Sequence, residues 1–413
     1  MKRLLKSFAF ILLLICLIFI NLSLKQDNLS TVKEENFFSP TLDAEKVSRQ
    51  NLVLEEAENL KRGYFVDEAI EKLLSNPDLV DDKIQDKVEE YKSYRSSFVK
   101  YEGAIEHIFF HSLIIYPELA FDNYGHDAEG YNMWFATVNE FQKILPLLQE
   151  RGFVLVKLND VYKKDSDGKM VRNDIYLPKD KKPLIISQDD VNYYDYMRPD
   201  GFADKLVLDN ENQVSTLVRT PYNGTQITRD GDMVPILDDY IKSHPEFSYK
   251  GAKGVLAVTG YEGVLGYRLT TDEDKAEAKK VVTRLKETGW LFASHSYTHN
   301  GDGYFGQNPV YNKLVYDFNK WRDQISPIVG ETTLFIAPFG TTLQNKNLDI
   351  AKNHGFEIYC NVARSVKDQI LNDIVIMPRF NIDGFTFFKD KENVNKRFFD
   401  VDKVIDSNRP ILK

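Results

Sequence analysis

From Tyr101 onward, short apolar runs alternate with amphipathic segments, and this alternation is the strongest constraint on the fold. The runs cover residues 107–111, 153–157, 184–187, 255–259, 290–293, 334–337, 357–362 and 374–379. Stretches of helical spacing lie between them, among them 137–151, 276–288, 311–329 and 348–354. Strand, helix, strand in this order implies parallel strands with crossover helices, hence an α/β barrel or an open sheet. A distorted (β/α) barrel over residues 101–413 is the expected architecture. In such a barrel, catalytic groups stand at the carboxyl ends of the strands.

Two motifs fall just past strand ends. Ser187-Gln188-Asp189-Asp190 closes the run at 183–186, and His295-Ser296-Tyr297-Thr298-His299 follows the run at 290–293. Two histidines four apart, with an aspartate from another strand end, make a His₂-carboxylate set for a divalent metal. Three protein ligands leave coordination positions open for water or substrate, the catalytic rather than the structural pattern. A second aspartate beside the ligand is available to take a proton from that water. The residues by themselves therefore point to metal-assisted hydrolysis.

Between these motifs, residues 191–250 carry no crossover helix until 233–243. They hold two strand-like runs, 202–208 and 213–219, around Asp209-Asn210-Glu211-Asn212, a hairpin signal. The segment is expected to be an inserted flap over the site.

The N-terminal part is of another kind. Lys2, Arg3 and Lys6 precede an apolar run at 8–20 that continues to Leu24, a charged n-region and h-region of export type. No small-x-small cleavage site follows. An uncleaved signal anchor over 1–25 is expected, single-pass in the cell membrane with the bulk of the protein outside; a secreted form is the alternative. Residues 26–48 are polar and read as a tether. Residues 51–99 carry helical spacing, broken at Asn76-Pro77-Asp78, and are expected to form a helical stalk or a hairpin packed on the barrel, so that 26–100 is one region. The 53 basic against 62 acidic residues give a net charge of −9, which argues against a nucleic-acid partner. Of the two cysteines, Cys16 lies in the anchor and Cys360 in the 357–362 strand, so no structural disulfide is expected.

Ser187-Gln188-Asp189-Asp190, His295-Ser296-Tyr297-Thr298-His299 and Ala337-Pro338-Phe339-Gly340, in that order, resemble the polysaccharide deacetylase family (carbohydrate esterase family 4) over about residues 101–390. The resemblance implies that Asp189 is the general base and that Asp190, His295 and His299 bind the metal. It assigns the oxyanion to the backbone N–H of Phe339, after Pro338. The metal implied is Zn²⁺, although Co²⁺, Ni²⁺ and Mn²⁺ suit the same ligands.

The departures are specific. The family has Thr-Phe where this chain has Ser187 and Gln188, and an arginine paired with the base where this chain has Ile336. Arg379, in Met377-Pro378-Arg379-Phe380, is the expected replacement, and Arg268 the weaker one. The family's late acid histidine is missing as well. Ile108-Phe109-Phe110-His111, followed by Thr137-Val138-Asn139-Glu140-Phe141, is similar to circularly permuted relatives that deacetylate poly-N-acetylglucosamine, and implies His111 as the acid.

The expected function is thus metal-dependent hydrolysis of N-acetyl groups from an extracellular or cell-wall amino-sugar polysaccharide, poly-N-acetylglucosamine or peptidoglycan. The acetylated polymer and the membrane are the expected partners, and no protein partner is evident. A catalytically weak or inactive protein of this fold that binds cell-surface glycan is the alternative, favoured by Ile336 and Gln188. Several residues remain open. Tyr193, Tyr194 and Tyr196 suit either a platform for sugar rings or packing of the flap. His126 suits the cleft or a surface loop. His107 is expected at the strand end far from the chemistry, His244 and His354 at helix ends, and Trp321 on the core face of its helix.

Overall fold

The computed structural model describes residues 42–122, 127–221 and 224–412; the expected signal anchor, the tether as far as residue 41, Cys16 and His126 lie outside them. Among the described residues, no helix is long and apolar enough to cross a membrane. The chain divides between Leu54 and Glu55 into two units, the first of which is described from residue 42. The helix Leu42–Arg62 begins ahead of the periodic pattern, so residues 42–48 of the expected tether are helical. Residues 43–49 are exposed, which explains why no apolar stripe announces them. Asp43 and Glu45 in the first turn, with Lys61 and Arg62 in the last, match the helix dipole.

Within the larger unit, the helices Val66–Leu74 and Asp82–Ser96 bury Ala69, Leu73, Ile84, Val88 and Tyr91. Asp81 caps the second by accepting from the Ile84 N–H at 3.0 Å. Tyr64 donates to the Glu246 carbonyl at 2.9 Å, and the Lys250 N–H donates to the Gly63 carbonyl at 3.0 Å. These bonds hold the segment against residues 246–250.

The eight expected strands all form: β1 Glu106–Phe110, β2 Phe153–Leu155, β3 Lys182–Gln188, β4 Val255–Val258, β5 Leu291–Ser294, β6 Leu334–Ile336, β7 Ile358–Val362 and β8 Ile374–Asn381. Among the described residues, seven of them close in the parallel order β4-β5-β6-β7-β8-β1-β3 and back to β4. The distortion lies at β3. Its first half pairs with β2, Phe153 against Lys182 and Leu155 against Leu184; its last residues pair with β4, Val255 against Ser187 and Leu256 against Gln188. The first strand of the domain, β1, sits between β8 and β3, so His111 arises beside the strands that carry Arg379 and Asp189.

Period-two alternation sorts the side chains. Ile185, Val255, Ala257, Ala293, Ile336, Cys360, Val375 and Met377 pack together inside the barrel. Ile108, Phe110, Leu184, Ile186, Leu256 and Val258 pack outward with Phe141, Ile144, Leu237, Val281 and Leu285 of the surrounding helices. Continuing the inward rows brings Asp189, Arg379 and His295 to the carboxyl end. The stretch expected as one helix over 311–329 is two, Tyr311–Gln324 and Ser326–Val329, because Pro327 cannot continue the first. Trp321 is buried, and His244 and His354 are helix C-caps.

The expected hairpin forms, with a third strand: Ala203–Leu208, Val214–Thr220 and Gly224–Thr228, antiparallel. Its apolar face packs on the surrounding helices. Leu206, Val214 and Val218 share the core of Leu237, Val281 and Leu285, and Arg284 donates to the Asn212 carbonyl at 2.9 Å. One apolar face needs a partner, and the helices Met233–Ser243 and Asp272–Glu287 supply it.

Candidate metal centre

The turn after β3 is set by backbone bonds on both sides. The Asp189 N–H donates to the Phe110 carbonyl at 2.8 Å, and the Val191 N–H to the Ala257 carbonyl at 3.2 Å. Asp190 between them has φ 55°, and His299 and Phe339 are likewise left-handed, at φ 44° and 56°. Non-glycine residues held in this region cost free energy, and such residues cluster at functional sites. Asn192 holds the turn in place: its side chain donates to the Thr259 carbonyl at 3.2 Å and accepts from the Thr259 N–H at 3.2 Å.

Asp190, His295 and His299 converge, one ligand atom from each lying within 4.8 Å of the others. Asp190 Oδ1 is 3.4 Å from His299 Nε2 and 3.8 Å from His295 Nε2. His295 Nδ1 faces the Ile336 carbonyl at 2.7 Å, so this nitrogen carries the proton and Nε2 presents its lone pair to the site. Burial pulls the His295 ring below its ordinary value and keeps it neutral, as ligation requires. Tyr194 donates to the same Asp190 oxygen at 2.7 Å. Two imidazole nitrogens and one carboxylate oxygen, with the ligating atoms aimed at one point, fit a divalent ion of the zinc type.

His299 is placed by a residue that the sequence reading missed. Asp317, buried on the helix Tyr311–Gln324, accepts from the Tyr297 N–H at 2.8 Å, the Thr298 N–H at 2.8 Å and the Thr298 hydroxyl at 2.7 Å. A carboxylate among Leu314, Phe318 and Trp321 on an apolar face was the available signal.

Asp189 lies beside the ligands and is paired with Arg379, whose Nη1 and Nη2 donate to Oδ1 at 2.7 Å and Oδ2 at 2.9 Å. Burial acts to raise the Asp189 carboxyl; the Arg379 guanidinium overcomes it and holds it at about 2. Arg379 is itself buried. It donates to Ser187 Oγ at 3.2 Å, and its guanidinium lies 4.1 Å from the Phe109 ring centre. Arg268 is engaged elsewhere, on the Asn192 and Tyr193 carbonyls and Asp195.

His107 stands at the amino end of β1, as expected, yet it reaches the residues that support the site. It is buried in the barrel, with Nε2 2.9 Å from Ser187 Oγ and Nδ1 3.9 Å from Cys360 Sγ. Because β1 is short and its inward row continues beneath the site, His107 is one side chain away from Arg379. Burial, reinforced by Arg379, pulls its ring well below the ordinary value and keeps it neutral. Cys360 is a free thiol, which burial pushes up to about 12.

His111 is half-buried at the end of β1. Its Nδ1 faces the Trp134 carbonyl at 3.0 Å, and its ring lies against Phe135, 5.3 Å between centres. Phe339, in the Pro338–Gly340 turn, is exposed and lies 4.9 Å from the His299 ring. Gly340 and Thr341 supply that turn's backbone hydrogen bonds. Gln188 points away from the metal ligands: its Nε2 donates to Asp232 at 2.8 Å, as does the Tyr193 hydroxyl at 2.5 Å. Of the three tyrosines, Tyr193 is therefore packing and Tyr194 supports Asp190. Tyr196 is 41% exposed and stacks on Tyr194 at 5.7 Å, which leaves it on the surface beside the site.

No family model and no curated protein matches the chain. Among solved structures, it is similar to a de-N-acetylase from Aggregatibacter actinomycetemcomitans at 14% identity, covering 68% of this chain and 96% of that one, with a TM-score of 0.41. It is similar to the deacetylase PplD of Streptococcus pyogenes, in complex with acetate, at 15% identity, covering 73% and 99%, with a TM-score of 0.41. IcaB from Ammonifex degensii matches at 13% identity, covering 68% and 91%, with a TM-score of 0.38.

Proposed function

We propose that this chain is a metal-dependent deacetylase that hydrolyses N-acetyl groups on an amino-sugar polysaccharide. The observation that carries the reading is the pairing of two sites side by side at the carboxyl end of the barrel: Asp190, His295 and His299 aimed at one point, and beside them Asp189 kept ionised by Arg379. A bound divalent ion polarises a carbonyl and brings the pKa of a water towards neutrality. Asp189, held ionised at neutral pH by Arg379, is the group able to accept a proton from that water. The bidentate bonds to Arg379 fix the direction of its oxygens and leave their remaining lone pairs to the site. His111, with Nδ1 committed to the Trp134 carbonyl, offers Nε2 to protonate a departing amine. The Phe339 N–H, in its left-handed turn next to His299, is the candidate donor to the oxyanion.

The alternative of an inactive glycan binder drew on Ile336 and Gln188. Arg379 supplies the base with a guanidinium from β8, and Gln188 is bound to Asp232, so neither residue leaves the site short of a catalytic group. An extracellular location with a membrane anchor at 1–25 belongs to the same proposal, because such polymers lie outside the membrane. The test is acetate release from a panel of acetylated polymers, poly-N-acetylglucosamine and peptidoglycan first, with metal analysis of the same sample. Acetate release that stops on chelation and returns with Zn²⁺ supports the reading. Stoichiometric metal and glycan affinity without acetate would instead identify a binder.

A further inference from the structure

The orientation of His111 traces to a residue almost three hundred positions along the chain. Trp134, whose carbonyl faces His111 Nδ1, ends the helix Ala128–Trp134, and the residues on both sides of it are held by Arg409. Arg409 Nη1 donates to the Asn132 carbonyl at 2.7 Å and to Asn132 Oδ1 at 3.0 Å; Nη2 donates to the Phe135 carbonyl at 2.8 Å. The same guanidinium pairs with Glu140, Nε to Oε1 at 2.7 Å and Nη2 to Oε2 at 2.6 Å. All five donors of the planar fork are used.

Glu140 is itself fixed. It closes a capping box with Thr137 at the start of the helix Val138–Glu150 and accepts from the Asp406 N–H at 3.0 Å. Thr137 Oγ1 donates to Asp406 at 3.1 Å, and the Asn132 amide donates to the Pro410 carbonyl at 2.9 Å. The segment 406–410 thus straps residues 132–140. The fit is close: a Cβ on Gly384 would stand 1.8 Å from the Asn132 oxygen and 2.6 Å from Arg409 Nη1. A fully buried ion pair is a weak source of stability, and where one is retained a role in specifying geometry is the better explanation.

We propose that Arg409 is a positioning residue for His111: by fixing the Asn132 and Phe135 carbonyls on either side of Trp134, it sets the Trp134 carbonyl and hence the ring nitrogen that His111 presents to substrate. The proposal deepens the deacetylase reading and rests on it for the role of His111. With Nδ1–H held by a carbonyl, the exchangeable proton is confined to Nε2. When the strap loosens, the ring samples both tautomers and the proton is misplaced for part of the time.

The test uses the full chain and two variants. Arg409→Lys keeps a charge against Glu140 but has no planar fork to reach both carbonyls. Asn132→Ala leaves the Arg409–Glu140 pair intact, removes two strap bonds, and serves if the first variant does not fold. Nitrogen-15 NMR of the neutral His111 ring is expected to give one Nδ1–H tautomer in the parent and a mixture in the variants. Turnover of an N-acetyl glycan is expected to fall about tenfold or more, a part of the roughly 10²–10⁴ that acid catalysis supplies. Turnover of an activated aryl acetate, whose leaving group needs no proton, and KM for the glycan should both stay near parental values. An unchanged tautomer in a folded variant overturns the proposal, and so do equal losses on both substrates. A parent that releases no acetate from any amide refutes the deacetylase reading, while the tautomer comparison still decides whether Arg409 positions His111.

Discussion

Arg379 and Asp189, 190 residues apart in sequence, meet through two hydrogen bonds of 2.7 and 2.9 Å inside the barrel. They flank β1, one on β8 and the other just past β3, and both continue inward rows. The guanidinium therefore reaches the carboxylate from a strand other than the one that carries Ile336. Ile336 contributes instead through its carbonyl, which orients His295.

Loss of the arginine should be felt in pH dependence and in stability. Asp189 sits at about 2 against an ordinary 3.8. The pair therefore adds stability that is present above pH 3.8 and is lost as pH falls towards 2. Arg379→Met leaves a buried carboxylate without its partner, at a cost of about 3–5 kcal/mol. Burial then pushes the Asp189 carboxyl up, so the acid limb of the pH–rate profile should move to higher pH and turnover should drop. Urea unfolding at neutral pH and the profile from pH 3 upward check both effects. A folded variant with an unmoved acid limb would release Asp189 from the role of base.

The metal set makes a separable prediction. His295→Ala removes one of three ligands at the mouth of the barrel while the interior packing of Ala257, Ala293 and Ile336 stays in place. The variant should lose most of its bound metal and acetate release, and should still unfold cooperatively. Metal that stabilises the parent should no longer raise its melting temperature, since ligand stabilisation depends on affinity for the native state. Unchanged stoichiometry by elemental analysis would remove the residue from the site.

Much of this was legible in the sequence, and what was not has physical causes. The strands were found because period-two and period-3.6 patterns are local. Arg379 was found because a missing partner for a buried carboxylate has to be replaced from somewhere. Asp317 was missed because its three donors belong to residues 297 and 298: its place on an apolar helix face marks it as buried and partnered, but nothing local to the helix says with what. The reach of His107 to Ser187 follows from the register of β1 on β3, which spacing along one strand does not reveal. The hairpin at 203–220 was visible as a hairpin. The surface it packs on depended on which helices would lie beside it, and that is a property of the closed barrel.

His111 is the group whose role separates amide from ester chemistry. His111→Ala should keep metal and glycan affinity and lose about 10²–10⁴ in kcat on an N-acetyl glycan. On an activated aryl acetate, where the leaving group departs without a proton, the loss should be far smaller. Steady-state kinetics on the two substrates with the same preparation decide the point. Equal losses would take the acid role away from His111, and the permuted arrangement of the site with it.

Asp317 should govern metal affinity without touching the metal. Its carboxylate accepts three bonds that hold residues 297 and 298, and His299 follows directly in a left-handed conformation. Asp317→Asn preserves shape but exchanges one acceptor oxygen for a donor NH₂, so at least one of the three bonds must be lost. The loop then holds His299 less firmly, and residues that orient metal ligands typically change affinity by about 10–100-fold when altered. Competition against a chelator should show a loss of that order, while His295, held independently by the Ile336 carbonyl, keeps its orientation. The variant should therefore regain activity when metal is raised by the same factor, whereas His295→Ala should not. Failure of added metal to restore Asp317→Asn would mean that the loop positions substrate or the Phe339 turn rather than the ligand.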